Sequence, residues 1–207
     1  MNKSEKFVIT INRELGSGGR TVGRKLAERL QVKFYDKVLM ESLTQKYKLT
    51  INEIERIKAQ KLSWWDEFNH FYKGFLANFT PSADPELKLT STNVFETERR
   101  ILEALARQES CVVAGRSTFL MFKEWPNHLN VFIQAPLLNR IDRLARKRGI
   151  TTEEALHILE EVDESRESYL QKYTDKSRYD TRNYDLVINM ADMTEDEAVD
   201  VIMAYIR

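Results

Sequence analysis

A cluster of glycines near the amino terminus constrains the fold of this chain more than any other feature. The sequence contains seven glycines, and four of them fall within eight residues: Gly16, Gly18, Gly19 and Gly23. A short β-branched run at residues 7–11 predicts a strand before them, and the apolar spacing over residues 22–30 predicts a helix after them. Glycines at such a turn let backbone amides approach a ligand, and a helix N-terminus favours an anion. The pattern predicts a phosphate-binding loop, with a tight turn that binds nothing as the alternative.

Later apolar runs repeat the alternation of strand and helix. They lie at residues 111–115, 129–133 and 185–189, and each is followed by helical spacing. Strands that are apolar throughout and alternate with helices predict an α/β fold with a parallel sheet covered on both faces. Residues 37–108 instead show one helical pattern after another, which predicts a helical insertion suited to a mobile substrate flap. Thr-x-x-Glu capping boxes predict helix starts at Thr50, Thr151 and Thr194.

Composition excludes several classes of function. The 207 residues include 32 Lys and Arg and 32 Asp and Glu, so the net charge is zero and nucleic acid is not an expected partner. The single cysteine, Cys111, allows no intrachain disulfide and is typical of a reducing compartment. No apolar run reaches the length of a membrane span, and the first residues lack the features of a signal peptide. We predict a single cytoplasmic domain over residues 1–207 with no membrane partner.

Four motifs, in this order along the chain, resemble the cytidylate kinase-like family. They are residues 9–27 with the glycine loop, Phe34-Tyr35-Asp36-Lys37, Val113-Ala114-Gly115-Arg116, and Tyr184-Asp185-Leu186-Val187-Ile188-Asn189. The resemblance covers nearly the whole chain. It implies a three-layer P-loop nucleoside monophosphate kinase fold, with a five-stranded parallel sheet, a nucleotide-binding helical insertion and a small lid at about 150–183. It also implies phosphoryl transfer from ATP, with Mg²⁺, to a nucleoside monophosphate of the CMP or dCMP type.

The glycine loop departs from the P-loop pattern G-x-x-x-x-G-K-[ST], because the chain contains no Gly-Lys pair. When the loop is aligned from the end of the strand with true cytidylate kinases, Gly19 takes the lysine position, Arg20 comes next and Thr21 takes the hydroxyl position. Shifted by one residue, Arg20 takes the lysine position and Glu14 replaces the first glycine. Either register leaves Arg20 as the nearest cation. We expect Glu14 to be repelled by a phosphate unless it pairs with Arg13 or holds a metal.

The candidate site residues follow from the strand ends and from the resemblance. Arg13, Arg20 and Arg116 lie at or beside the carboxyl ends of predicted strands and are expected to face one crevice. The resemblance places Arg166 in the lid, where such arginines close on the transferred phosphate. The alternative for Arg166 is an ordinary helix-surface pair with Asp163.

These considerations give three groups of predicted site residues. The phosphate-binding residues are Gly16, Ser17, Gly18, Gly19, Arg20 and Thr21. The acceptor-binding residues are Tyr35, Asp36, Arg99 and Arg116. The catalytic cations are Arg13, Arg20 and Arg166, and Thr21 is also the expected Mg²⁺ ligand.

Several alternatives stay open at the level of the sequence. The loop also approaches a dinucleotide-binding fingerprint with Asp36 as the ribose-binding acid, although such a domain returns to a strand sooner. The missing lysine suggests, as an alternative to phosphoryl transfer, a regulatory protein that binds a nucleotide or another anion without turnover. Arg140 and Arg143 are expected to be solvated on a basic helix face. The aromatic residues of 64–79 recur at helical spacing and are expected to pack in the core or to form a homodimer contact.

Overall fold

The protein is described from a computed structural model that covers residues 1–36, 39, 92–115 and 117–206. The chain divides into two compact units, one formed by Met1–Asp36 with Glu109–Arg207 and the other by Lys37–Gln108. The aromatic stretch 64–79 and the predicted helix start at Thr50 lie outside the described residues, and the lid over 150–183 stays a prediction. Within these described ranges, no helix combines the length and apolar character that crossing a bilayer requires.

The first unit contains a five-stranded sheet in which every pair of neighbouring strands is parallel. The strands are β1 (Val8–Arg13), β2 (Lys33–Tyr35), β3 (Cys111–Ala114), β4 (His128–Gln134) and β5 (Leu186–Asn189). Their order across the sheet is β2-β3-β1-β4-β5. The predicted parallel sheet is therefore confirmed, and β1, which leads into the glycine loop, is its central strand.

Helices follow the strands in the described parts of the chain. They are α1 (Gly19–Leu30), α2 (Thr92–Gln108), α3 (Thr118–Met121), α4 (Leu137–Arg148), α5 (Thr152–Tyr173) and α6 (Glu195–Tyr205), with a 3-10 helix at Thr181–Asn183. Helix α2 belongs to the second unit. The predicted capping boxes at Thr151 and Thr194 are confirmed, because each threonine side chain accepts a hydrogen bond from the backbone amide three residues later.

One face of the sheet holds the main apolar core and fixes the position of α1. Ile11 is fully buried in an apolar cluster that also contains Leu26 of α1 and Ile202 of α6. At Gly23 an added Cβ would lie 2.9 Å from Phe34 Cε2 and 3.3 Å from Ile11 Cγ1. Glycine there lets α1 lie close to the sheet. The amino end of α1 is thereby held at the carboxyl edge of β1.

The opposite face of β1 carries a buried polar cluster. Thr10 Oγ1 donates a hydrogen bond to Asn130 Oδ1 at 2.7 Å and lies 2.8 Å from His128 Nε2. Asn12 Nδ2 donates to the same Asn130 oxygen at 3.0 Å, and the Asn130 amide donates to Asp185 Oδ2 at 2.8 Å. Buried polar groups that satisfy one another in this way have few alternative partners. The cluster therefore fixes the alignment of β1 with β4.

The histidine of this cluster should make stability depend on pH. Burial lowers the pKa of His128 to about 4, against an opposing effect of Asp185. A histidine in the unfolded chain titrates near 6.5. Its neutral ring therefore contributes stability that is intact above that pH and is lost as the pH falls toward 4. We expect the free energy of unfolding to fall by about 2 kcal/mol between pH 7 and pH 5 from this group, measured by urea unfolding.

Two histidine variants isolate that contribution. His128→Gln should remove it, whereas His157→Gln should leave it intact, because the side chain of His157 is exposed on α5. An unchanged pH dependence in His128→Gln would contradict the prediction.

Candidate functional site

The glycine loop joins the end of β1 to the start of α1. Gly16 and Gly18 have φ angles of 77° and 87°, in the left-handed region that favours glycine. Within the residues that the structure describes, the amides of Gly16, Gly18 and Thr21 make no hydrogen bond. These amides lie at the amino end of α1, where the helix dipole is positive. The loop therefore presents backbone donors to an anion.

Other loop groups are engaged in holding the loop in shape. The Leu15 amide donates to Asp163 Oδ1 at 3.1 Å. Ser17 Oγ donates to the Glu14 carbonyl at 2.9 Å and accepts a long hydrogen bond, 3.4 Å, from the Gly19 amide. The predicted role of Ser17 in binding phosphate stays a prediction, since its hydroxyl is used inside the loop.

Helix α4 packs directly against the loop. An added Cβ at Gly16 would lie 2.7 Å from the Arg140 carbonyl oxygen, and one at Gly18 would lie 2.6 Å from Arg143 Nη1. Arg143 Nη1 also donates to the Gly16 carbonyl at 3.3 Å. The side chain of Arg140 is only 12% exposed. The expectation that Arg140 and Arg143 are solvated is therefore wrong, because the close approach of α4 places both against the loop.

Five arginines from four parts of the first unit surround the loop. They are Arg13, Arg140, Arg143, Arg166 and Arg178. The carboxylates among them are those of Glu14, Asp163 and Glu195, whose Oε1 would lie 3.2 Å from an added Cβ at Gly18. Five positive groups against three negative ones leave an excess of two positive charges in this set. Such a set attracts a ligand with several negative charges, such as a polyphosphate.

Asp163 ties three of these arginines together. Its Oδ2 accepts from Arg140 Nη1 at 2.5 Å, and its Oδ1 accepts from Arg166 Nη1 at 3.2 Å. Oδ1 also lies 3.7 Å from Arg178 Nη1. The carboxylate is 11% exposed, so water screens its charge little. The pair of Asp163 and Arg166 is thus part of a buried network, and the alternative of an ordinary surface pair is wrong.

Arg178 is a buried cation with an unsatisfied nitrogen. It is 7% exposed, and its pKa is lowered first by burial and then by the positive charge of Arg166. Its Nη2 donates to the Arg13 carbonyl. In the part of the chain that the structure describes, Nη1 has no hydrogen-bond partner. A buried donor without an acceptor is costly, and a bound anion would supply the acceptor.

Glu14 is neutralised in a way that the sequence did not indicate. Its Oε2 accepts from the Ala135 amide at 3.0 Å and lies 3.6 Å from Arg140 Nε. The compensating cation shown for Glu14 is therefore Arg140, where the sequence suggested Arg13 or a metal. This pairing explains how a carboxylate is tolerated beside a loop that attracts anions.

Two residues predicted for separate roles form an ion pair. Arg20 Nε and Nη2 lie 2.8 Å and 2.7 Å from Asp36 Oδ2. Arg20 lies in the first turn of α1 and Asp36 directly follows β2. The pair links the predicted donor and acceptor sides of the site. It also directs the charge of Arg20 toward a carboxylate, so its separate role at the donor phosphates stays a prediction.

The other three residues predicted to bind the acceptor nucleotide lie in different parts of the chain. Tyr35 is fully buried, and its hydroxyl donates to Glu109 Oε1 at 2.8 Å. Arg99 lies on α2 in the second unit and pairs with Glu103 at 3.0 Å. Arg116 lies outside the described residues. Acceptor binding by these three residues stays a prediction.

Sequence reasoning placed only some of the arginines at the loop. It grouped Arg140 and Arg143, which are three residues apart on one side of α4, but assigned them to a solvated basic face. Arg178 lies in an irregular segment between α5 and the 3-10 helix, where no periodic pattern singles it out. The contacts with the loop, which come from distant parts of the chain, identify all three.

The chain matches known proteins over nearly its whole length. The model of the cytidylate kinase-like family matches residues 8–192. The cytidylate kinase of Pyrococcus furiosus is 28% identical over 202 residues, which cover 97% of this chain and 88% of that protein. The cytidylate kinase of Thermococcus kodakarensis is 27% identical over 206 residues, with the same coverage of 97% and 88%.

Solved structures share the layered sheet. An uncharacterized protein from Eubacterium ventriosum superposes with a TM-score of 0.70 at 22% identity, covering 97% of this chain and 98% of that one. A gluconokinase from Sinorhizobium meliloti gives a TM-score of 0.52 at 15% identity, covering 97% and 91%. These similarities confirm the predicted three-layer P-loop kinase fold. Since the family model spans most of the sequence, the chain belongs to the cytidylate kinase-like family.

Proposed function

We propose that this protein transfers the γ-phosphoryl group of ATP, bound with Mg²⁺, to a nucleoside monophosphate of the CMP or dCMP type. The observation that carries the proposal is the convergence of five arginines on a glycine loop three of whose amides have no hydrogen-bond partner among the described residues. Phosphoryl transfer requires the protein mainly to position two substrates and to neutralise charge on the moving group. Relatives named cytidylate kinases support the choice of acceptor.

The donor phosphates bind at the loop. The amides of Gly16, Gly18 and Thr21 donate to the phosphate oxygens, helped by the positive end of α1. Arg13 and Arg166 neutralise charge on the transferring group, and Arg178 contributes its unsatisfied nitrogen to the same end of the site. Such fixed donors act strongly because little water competes with them in a buried setting.

Mg²⁺ fits this site as an ion carried by the nucleotide. Among the residues that the structure describes, no group of three His, Cys, Asp or Glu side chains is arranged to hold a metal. A nucleotide-bound Mg²⁺ takes only one or two protein ligands beside phosphate oxygens and water. The Thr21 hydroxyl, in the first turn of α1, meets that requirement. When bound, the ion neutralises charge on the phosphates.

The acceptor binds on the side of Asp36. Tyr35, Asp36, Arg99 and Arg116 orient the nucleoside monophosphate, and the ion pair of Arg20 with Asp36 joins this side to the loop. The proposal also places the protein in the cytoplasm. A homodimer formed through residues 64–79 remains part of it.

A second candidate function is supported by one observation. The chain contains no Gly-Lys pair, and Arg20, the nearest cation in the sequence, is bound to Asp36. A protein of this kind binds a nucleotide at the loop and regulates a partner without turning the nucleotide over.

A coupled assay distinguishes the two functions. ADP release from ATP and Mg²⁺ is measured with CMP, dCMP, UMP and AMP, and binding is followed by thermal shift. We expect turnover with CMP or dCMP at a kcat/KM at least about tenfold above the other acceptors. ATP at a hundred times its Kd should raise apparent stability by about 2.7 kcal/mol. Stabilisation by ATP without ADP release from any acceptor would instead establish the regulatory function. Neither stabilisation nor turnover would refute both.

A further inference from the structure

The two departures of the loop from the P-loop pattern are in direct contact. In the register aligned from the strand end, Arg13 stands in place of the first glycine and Gly19 in place of the lysine. An added Cβ at Gly19 would lie 2.7 Å from Arg13 Cβ and 3.1 Å from Arg13 Cδ. The stem of Arg13 therefore fills the space that a side chain at position 19 would enter. The missing side chain at Gly19 therefore makes room for the side chain of Arg13.

A second glycine accommodates the far end of the same side chain. An added Cβ at Gly115 would lie 2.6 Å from Arg13 Nη1, and Gly115 has a φ angle of 83°, where a side chain would also strain the backbone. Gly115 directly follows β3, which pairs with β1 at the centre of the sheet. Arg13 thus extends from the first residue of α1 to the carboxyl end of the neighbouring strand.

The alternative register places Arg20 in the lysine position, and both its Nε and its Nη2 lie within 2.8 Å of Asp36 Oδ2. The backbone carbonyl of Arg13 accepts from Arg178 and, at 3.5 Å, from Arg166 Nη1. These two contacts fix the backbone of Arg13 among the arginines that surround the loop.

We propose that Arg13 performs the task of the missing lysine, so that the phosphate-binding cation has moved from the start of α1 to the end of β1. This inference rests on the proposed function and deepens it. A guanidinium presents a planar fork of donors, whereas an ammonium is a compact charge. Gly19 is required because a lysine stem and the Arg13 stem occupy the same space.

An exchange of the two residues tests the proposal. The variants are Arg13→Gly, Gly19→Lys and the double variant that carries both changes. Binding of ATP and of pyrophosphate is measured by calorimetry, kcat and KM are measured with the best acceptor, and each melting curve checks folding. Arg24→Ala, which removes an exposed cation from α1, is the matched control. Arg13→Lys and Arg13→Gln test the charge at position 13 without a bulky residue at position 19.

We expect each single exchange variant to weaken ATP binding by about 10- to 100-fold, the range for a lost charge-assisted hydrogen bond. The double variant should bind at least about tenfold more tightly than either, because its lysine regains the space that Arg13 vacates. Arg13→Lys should bind ATP more tightly than Arg13→Gln. A merely structural role for Arg13 would not produce rescue by a lysine at another position.

Two results would contradict the proposed role of Arg13 while leaving the proposed function in place. The first is a double variant, folded by its melting curve, that binds no better than the weaker single variant while the wild type and Arg24→Ala bind ATP. The second is equal ATP binding by Arg13→Lys and Arg13→Gln. Failure of the wild type itself to bind ATP or pyrophosphate would contradict both the proposed role of Arg13 and the proposed function.

Discussion

Replacing Asp163 with asparagine is expected to lower the free energy of unfolding of the nucleotide-free protein by about 3–5 kcal/mol. The carboxylate binds Arg140 and Arg166 and lies 3.7 Å from Arg178, and it is 11% exposed. Asparagine retains an oxygen for the Leu15 amide but removes the charge. The three guanidinium groups then repel one another without their shared partner, which is why the loss exceeds that of an exposed ion pair.

The same reasoning predicts that an anion compensates for the change. Pyrophosphate brings negative charge to the arginines that Asp163 no longer neutralises, so it should raise the melting temperature of Asp163→Asn by more than it raises that of the wild type. Urea unfolding and thermal melts with and without pyrophosphate measure both effects. Glu164→Gln is the matched control, because the neighbouring residue on α5 is exposed. If Asp163→Asn and Glu164→Gln were equally stable, the carboxylate would not hold the cluster together.

The sequence predicts the fold because the fold depends on local patterns. The run that forms β1 and the apolar spacing that forms α1 lie on either side of the glycines. The capping boxes at Thr151 and Thr194 involve residues only three apart, so the helix starts can be read from short motifs. Parallel pairing then follows from the alternation of strands and helices.

The candidate site was predicted less completely because its contacts join distant parts of the chain. Arg178 and the Arg13 carbonyl are separated by 165 residues, and Leu15 and Asp163 by 148. No periodic pattern encodes such contacts. Glu14 illustrates the consequence: its position in the loop raises the question of a compensating cation, but only the packing of α4 identifies Arg140.

Arg178→Met tests the site because it should lower kcat much more than it lowers the stability of the protein. We expect kcat to fall by about 100- to 1000-fold, the cost of losing one fixed donor to a developing charge. The free energy of unfolding of the nucleotide-free protein should fall by much less than in Asp163→Asn, because Asp163 keeps Arg140 and Arg166 as partners and burial already lowers the pKa of the guanidinium that is removed. Steady-state kinetics and thermal melts measure the two quantities. Arg182→Met is the control, since that exposed arginine pairs with Asp180, two residues away on the chain. An activity within about threefold of the wild type would place Arg178 outside the reaction, because a donor to the transferred group cannot be lost at so small a cost.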